Sequence, residues 1–212
     1  MIGKELGCDL RTLMWDTKNG SIGRIFLKHA LLVSDVMVAI ELSCGAKGIR
    51  LLTERELAQI GNRNGDQERF RWSINVAGQK LSAVPDRVFA LELVGADGTA
   101  RRSYFFLEAD RGTMPVVRKT LFQTSFFRKL LAYEATWADR LHEKLFGFHR
   151  FRVLTVTTNA KRVQSLVEAC SKLKAGHGLF LFADAAILNS PRDILSHPCR
   201  TGRPGETAQL LS

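Results

Sequence analysis

The stretch that most restricts how this chain can fold is VPDRVFALELVGADGTARRSYFFLEADRGT, residues 84–113. Two runs rich in aromatic and branched apolar residues flank Gly95-Ala96-Asp97-Gly98. An Asp-Gly pair between such runs is a strong short-range signal of a β-hairpin. The spacing predicts strands over 85–94 and 100–110 joined by a turn at 95–98. The returning strand ends on Glu108 and Asp110, which share one face because strand side chains alternate. Two such carboxylates repel unless positive charge lies between them, and Arg111, a lysine or a metal ion could supply it. Counting outward from a turn centred between Ala96 and Asp97 pairs Asp86 roughly with residue 107. Asp86, Glu108 and Asp110 are therefore expected to meet at one edge of the sheet. Three converging carboxylates make a hard-cation site for magnesium or manganese. The plainer alternative is a charged hairpin end, with Asp110 and Arg111 in a surface ion pair.

Helical and extended periods alternate around this hairpin. Residues 24–44 repeat Leu32, Val36, Ile40 and Cys44 at helical spacing, and Gly45 and Gly48 end the helix. A short strand over 49–54 leads into a loop, and 61–68 is polar loop. After the hairpin, Thr113 and Pro115 predict a helix start, with the helix running to about Lys144. Its apolar stripe is Phe122, Phe126, Leu130, Tyr133, Trp137 and Leu141. Residues 150–158 read as a strand rich in β-branched residues. A helix capped by Thr158 or Asn159 follows, and 178–183 is a final buried strand. The fold class is α/β, with a mixed sheet whose central antiparallel hairpin is flanked by helices. Residues 23–190 form the domain, 1–22 a connector and 191–212 a flexible tail.

The chain carries 31 Lys and Arg against 21 Asp and Glu, a formal charge of +10. That balance points to a polyanionic partner. The basic residues are spread in pairs, including Arg118-Lys119, Arg128-Lys129 and Lys161-Arg162, so a disordered basic tail is excluded. The four cysteines, Cys8, Cys44, Cys170 and Cys199, form no CxxC pair. They read as free thiols of a reducing cytoplasm, and zinc is not expected. No uninterrupted apolar run reaches the ~18 residues of a membrane span, so no membrane partner is expected. The N-terminus lacks the apolar core of a signal peptide. The phosphate-loop, dinucleotide and nucleophile-elbow motifs are all missing. His29 and Asp35 read as packing or capping residues of the first helix. Thr157-Thr158 ahead of Lys161 and Arg162 could seat a phosphate at a helix start.

Pro85-Asp86, a hairpin and then Glu108 resemble the PD…(D/E)xK pattern of restriction-endonuclease-like nucleases. The chain more closely resembles the bacterial plasmid replication-relaxation family. The stretches that carry this are FLKHALLVSDVMVAIEL (26–42), VPDRVFALEL (84–93), FFLEADRGT (105–113), RKLLAYEA (128–135) and FGFHRFRVLTVTTNAKRVQSLV (146–167). Family members carry a winged-helix DNA-binding domain ahead of this region, so the chain is expected to be a fragment or a reduced member. Where the nuclease pattern has its lysine, two residues after the glutamate, this chain has Asp110. Lys129 on the next helix is the candidate replacement. The implied catalytic set is Asp86, Glu108, Asp110 and Lys129. The implied ligands for magnesium or manganese are Asp86, Glu108 and Asp110, joined by Glu41 if the first helix packs beside the hairpin.

Three functions stay open from sequence. The first is a bacterial, cytoplasmic DNA-binding accessory protein of plasmid replication, relaxation or mobilisation whose nuclease-like fold has lost cleavage. The second is an active magnesium- or manganese-dependent DNA endonuclease. The third is a protein-interaction domain. Double-stranded plasmid DNA is the expected partner, contacted by Arg111, Arg118, Lys119, Arg128, Lys161 and Arg162. A second copy of the chain, or replication and mobilisation proteins, are the other candidate partners.

Overall fold

The computed structural model describes residues 17–60, 70–120, 122–189 and 191–211. A long helix, α1 (Thr17–Lys47), comes first, followed by β1 (Arg50–Leu52) and α2 (Glu54–Ile60). A small hairpin of β2 (Trp72–Val76) and β3 (Gln79–Ala83) precedes the large hairpin of β4 (Arg87–Val94) and β5 (Ala100–Asp110). Then come α3 (Phe126–Ala138), α4 (Leu141–Phe146), β6 (Arg152–Thr157), α5 (Ala160–Cys170), β7 (Phe180–Asp184), β8 (Cys199–Thr201) and β9 (Thr207–Ala208). Seven strands form one mixed sheet in the order β1-β4-β5-β6-β7-β8-β9, and β2-β3 stand apart as a pair. β6 runs parallel to both β5 and β7.

The sheet has a core on each face. On one side Val36, Ile40 and Cys44 of α1 cover Phe89, Phe105, Leu107, Leu154 and Leu181. On the other, α3, α5 and the small hairpin bury Trp72, Phe106, Leu130, Tyr133, Leu166 and Phe182. Strand alternation sends Phe105, Leu107 and Ala109 toward α1 and Phe106 toward α3. Glu108 and Asp110 continue the Phe106 row, so both carboxylates point beneath the α3 side of the sheet.

The hairpin register pairs Arg87 with Leu107 and Val94 with Ala100. Asp86, just ahead of β4, lies at this end of the hairpin beside Leu107 and Glu108, close to the expected match with residue 107. Its backbone N–H donates to the Leu107 carbonyl at 2.9 Å, the neighbour that counting outward from the turn gave. Several expectations change. The loop expected after β1 is α2, opened by Thr53 and Glu56. The Glu56 carboxylate accepts from the Thr53 N–H and hydroxyl, both at 2.8 Å, as in a capping box.

The helix expected to run from Thr113 to Lys144 is three pieces. Residues 114–116 fold back so that the Pro115 and Val116 carbonyls cap the Phe126 and Phe127 N–H groups at 3.0 and 2.9 Å. The helix then breaks at Arg140, whose φ of 52° no α-helix continues through. Phe122 is 83% exposed, outside the buried stripe that Phe126, Leu130 and Tyr133 form. The tail expected at 191–212 instead folds onto the sheet edge as β8 and β9, with Cys199 and Leu210 buried. The connector expected at 1–22 overlaps the start of α1, and its residues 1–16 lie outside the described residues, as does the 61–68 loop.

The segment Phe26–Lys47 of α1 is long and apolar enough to cross a membrane, with a mean hydropathy of 1.5. No uninterrupted apolar run had suggested this, because Lys28, Asp35 and Glu41 divide it. In this fold one face of that helix covers the sheet.

Candidate functional site

The carboxylates gather where β5 ends, and each has a separate answer to its burial. Glu108 is 1% exposed. Lys129 of α3 donates from Nζ to Glu108 Oε2, and the Tyr133 hydroxyl donates to Oε1 at 2.7 Å. Lys129 and Tyr133 are four residues apart, one helical turn, so α3 presents both to the same carboxylate. Burial pushes the Glu108 carboxyl above its usual range, Lys129 pulls it back, and the neighbouring Asp86 charge pushes it up again. Burial draws the Lys129 ammonium down, but the charge and hydrogen bond of Glu108, with the charges of Asp86 and Asp110, together raise it. Burial also holds the Tyr133 hydroxyl well above its ordinary range, so it stays a proton donor.

Asp110 is settled differently. The Arg162 guanidinium grips it with two bonds, Nε to Oδ2 at 2.7 Å and a terminal nitrogen to Oδ1 at 3.1 Å. The Thr157 hydroxyl donates to Oδ2 at 3.0 Å and the Gly112 N–H to Oδ1 at 3.1 Å. Gly112, at φ +72°, adopts the left-handed turn that brings its N–H back onto the side chain. Asn159 caps α5 by accepting from the Arg162 N–H at 2.9 Å. The helix start thus orients the same residue that neutralises Asp110. Arg162 also donates to the Met114 carbonyl at 2.6 Å. Expected as a phosphate contact, it is held inside the protein by these bonds.

Asp86 accepts the Ala109 N–H at 2.8 Å and bonds His29 Nε2 of α1 at 3.1 Å. His29, read from sequence as a packing residue, therefore joins the site. The only signal for it was its position on the buried side of α1. Glu41 does not join. It is exposed and twelve residues beyond His29, about 18 Å along the helix axis. Two clefts flank the Asp86–His29 pair. One is lined by Phe26, His29, Asp110, Arg111, Met114 and Lys129, and the other by His29, Glu54, Arg71, Pro85, Asp86 and Arg87.

Magnesium or manganese held by Asp86, Glu108 and Asp110 together does not fit this arrangement. Asp86 and Glu108 are neighbours, but Asp110 is drawn to Arg162. Among the described residues no three His, Cys, Asp or Glu side chains converge closely enough to hold a cation. One buried hydroxyl, Thr155 Oγ1, has no hydrogen-bond partner, and Thr155 stands beside Glu108 in the β5–β6 register. Of the remaining basic candidates, Arg118, Lys119 and Lys161 are exposed, and Arg111 and Arg128 are half-buried.

The fold and site define a mixed α/β protein with a buried, charge-compensated carboxylate cluster at one sheet end. The model of the replication-relaxation family matches residues 11–149, more than half of the 212-residue chain. The chain belongs to the replication-relaxation family. The matched region includes Asp86, Glu108, Asp110 and Lys129 and stops short of Arg162. No curated protein and no solved structure matches the chain.

Proposed function

We propose that this chain is a cytoplasmic DNA-binding module of plasmid replication and relaxation, built on a nuclease-type core that positions DNA. The observation that carries this is the meeting of Asp86, Glu108 and Lys129. Asp86 sits beside the end of β5, where its charge acts on Glu108, and Lys129 reaches Glu108 from α3. These are the residue types of the nuclease pattern, with the lysine supplied by a helix. Family membership and the charge of +10 support a DNA partner. Arg111, Arg118, Lys119, Arg128 and Lys161 are the phosphate contacts in this proposal, and Arg162 is not.

A second function, cleavage dependent on magnesium or manganese, is favoured by the Lys129–Glu108 contact. Asp86 and Glu108 are then the carboxylates left for the ion, because Arg162 holds Asp110.

Supercoiled plasmid incubated with the protein, with and without magnesium or manganese, separates the two. A gel shift with intact plasmid supports binding alone. Nicking that Lys129→Ala abolishes while the shift persists supports cleavage. If about five phosphates are contacted, log K falls against log salt with a slope of roughly −4 to −5. A flat salt response, or no binding at low salt, refutes the DNA partner.

A further inference from the structure

A second cleft lies at the other end of the sheet, where β6 begins beside the middle of β5. It is about 410 Å³ and is lined by Arg102, Tyr104, Trp137, Arg150, Arg152 and Leu179 among others. Tyr104 is six residues before Asp110 on β5, so the cleft stands about 20 Å from the carboxylates. Three guanidiniums line it, and among the described residues no Asp or Glu side chain does. Arg102 pairs with Glu92, which it shares with Arg50. Arg150 is exposed. Arg152 donates to the Gln209 carbonyl at 2.9 Å, and burial pulls its guanidinium below the usual range.

The aromatic side chains give the cleft its other half. Tyr104 stacks on Phe148 with ring centroids 4.0 Å apart, which fixes its plane. Trp137 sits at the end of α3 and is 40% exposed, a large apolar surface left in water beside the arginines. Its rim is crowded on one side, where a side chain at Gly176 would come within 3.5 Å of the indole. Guanidiniums bind phosphate through planar, bidentate contacts, and an indole stacks on a base of any sequence. An acidic peptide would use the arginines and leave the indole without a partner. A nucleotide strand uses both.

We propose that this cleft binds single-stranded DNA, with a base against Trp137 and phosphates on Arg150 and Arg152. The proposal rests on the reading of the chain as a DNA-directed protein, and it adds a strand site separate from the carboxylate end. Such a site would hold a single strand while the other end of the sheet meets duplex.

The test is fluorescence anisotropy with dye-labelled dT12 and, in parallel, a labelled duplex, using the full chain. Trp137→Ala is expected to weaken dT12 binding about 5- to 150-fold, the loss of one stacked base. Arg150→Glu is expected to weaken dT12 and to reduce its salt slope by about 0.7 per lost phosphate. Both variants are expected to keep duplex affinity within about twofold of wild type. Arg150 is exposed, so its variant remains informative if Trp137→Ala unfolds. Wild type that binds duplex but not dT12 overturns the strand site and leaves the DNA-binding function standing. Equal losses for dT12 and duplex also overturn it, by making the cleft part of one common surface. Binding of neither probe refutes the DNA partner itself.

Discussion

Replacing Lys129 by methionine tests whether the lysine is what makes a buried Glu108 tolerable. The Glu108 side chain is 2% exposed and that of Lys129 31%, so the glutamate bears the consequence. Methionine keeps the aliphatic stem, and Tyr133 still donates its hydroxyl, but the compensating charge disappears. Removing one partner of a buried pair costs about 3–5 kcal/mol when the other stays charged. For a chain of this size that corresponds to about 6–20 °C in Tm.

The pH dependence distinguishes this effect from lost packing. The folded carboxyl of Glu108 is already raised above its unfolded value by burial. Without Lys129 it rises further. A raised carboxyl leaves the native state with more bound protons than the unfolded state over the interval between the two values. Stability therefore falls as pH rises through that interval, by up to about 1.4 kcal/mol per pH unit. The Tm deficit of Lys129→Met should be small near pH 5 and grow toward pH 8. Circular dichroism melts across that range measure it. Glu108→Gln in the Lys129→Met background should restore most of the loss, because a neutral amide still accepts from Tyr133. A deficit that stays constant with pH, or survives Glu108→Gln, refutes the charge argument.

Other outcomes follow from the folded C-terminal segment and the core. Gly202→Ala should destabilise by about 1–3 kcal/mol, read by urea unfolding, from overpacking. Its new methyl would come closer than 3.0 Å to both Cys170 Sγ and the His177 carbonyl oxygen. A neutral result would mean that the segment does not pack as described. Cys44, Cys170 and Cys199 are buried, which pushes their thiols up to about 11, about 12 and about 12. A thiol-specific reagent at pH 8 should label them only on unfolding, because the thiolate is the reactive form. Fast labelling of Cys170 or Cys199 in the folded protein would refute their burial.

Local chemistry made much of the fold legible. The Asp97-Gly98 turn dictates the hairpin, strand alternation puts Glu108 and Asp110 on one face, and the 3.6-residue period marks α1 and α5. Asn159, an N-cap residue by type, does cap α5. The α2 start is also written in sequence, as the capping pair Thr53 and Glu56. The β2–β3 turn was less legible, because Ala77 takes a positive φ that its residue type does not announce, ahead of Gly78.

Other features had no local signature. Counting from the turn brought Asp86 to Leu107, but only the fold set its carboxylate on the Ala109 N–H. Pro115 and Val116 stay out of the helix, and their carbonyls instead accept from the Phe126 and Phe127 N–H groups at its start. The C-terminal strands form because the edge of β7 offers unpaired backbone groups.

The partners of the carboxylates were likewise undecidable from the chain alone. Arg162 lies fifty-two residues from Asp110 and His29 fifty-seven from Asp86. A buried charge is settled by whichever opposite charge the fold brings within reach, and sequence distance does not limit that reach. The sequence by itself determined that this strand must end in acids needing compensation. The tertiary structure alone decided that Arg162 compensates Asp110, that Lys129 compensates Glu108, and that α1 lends His29 to Asp86.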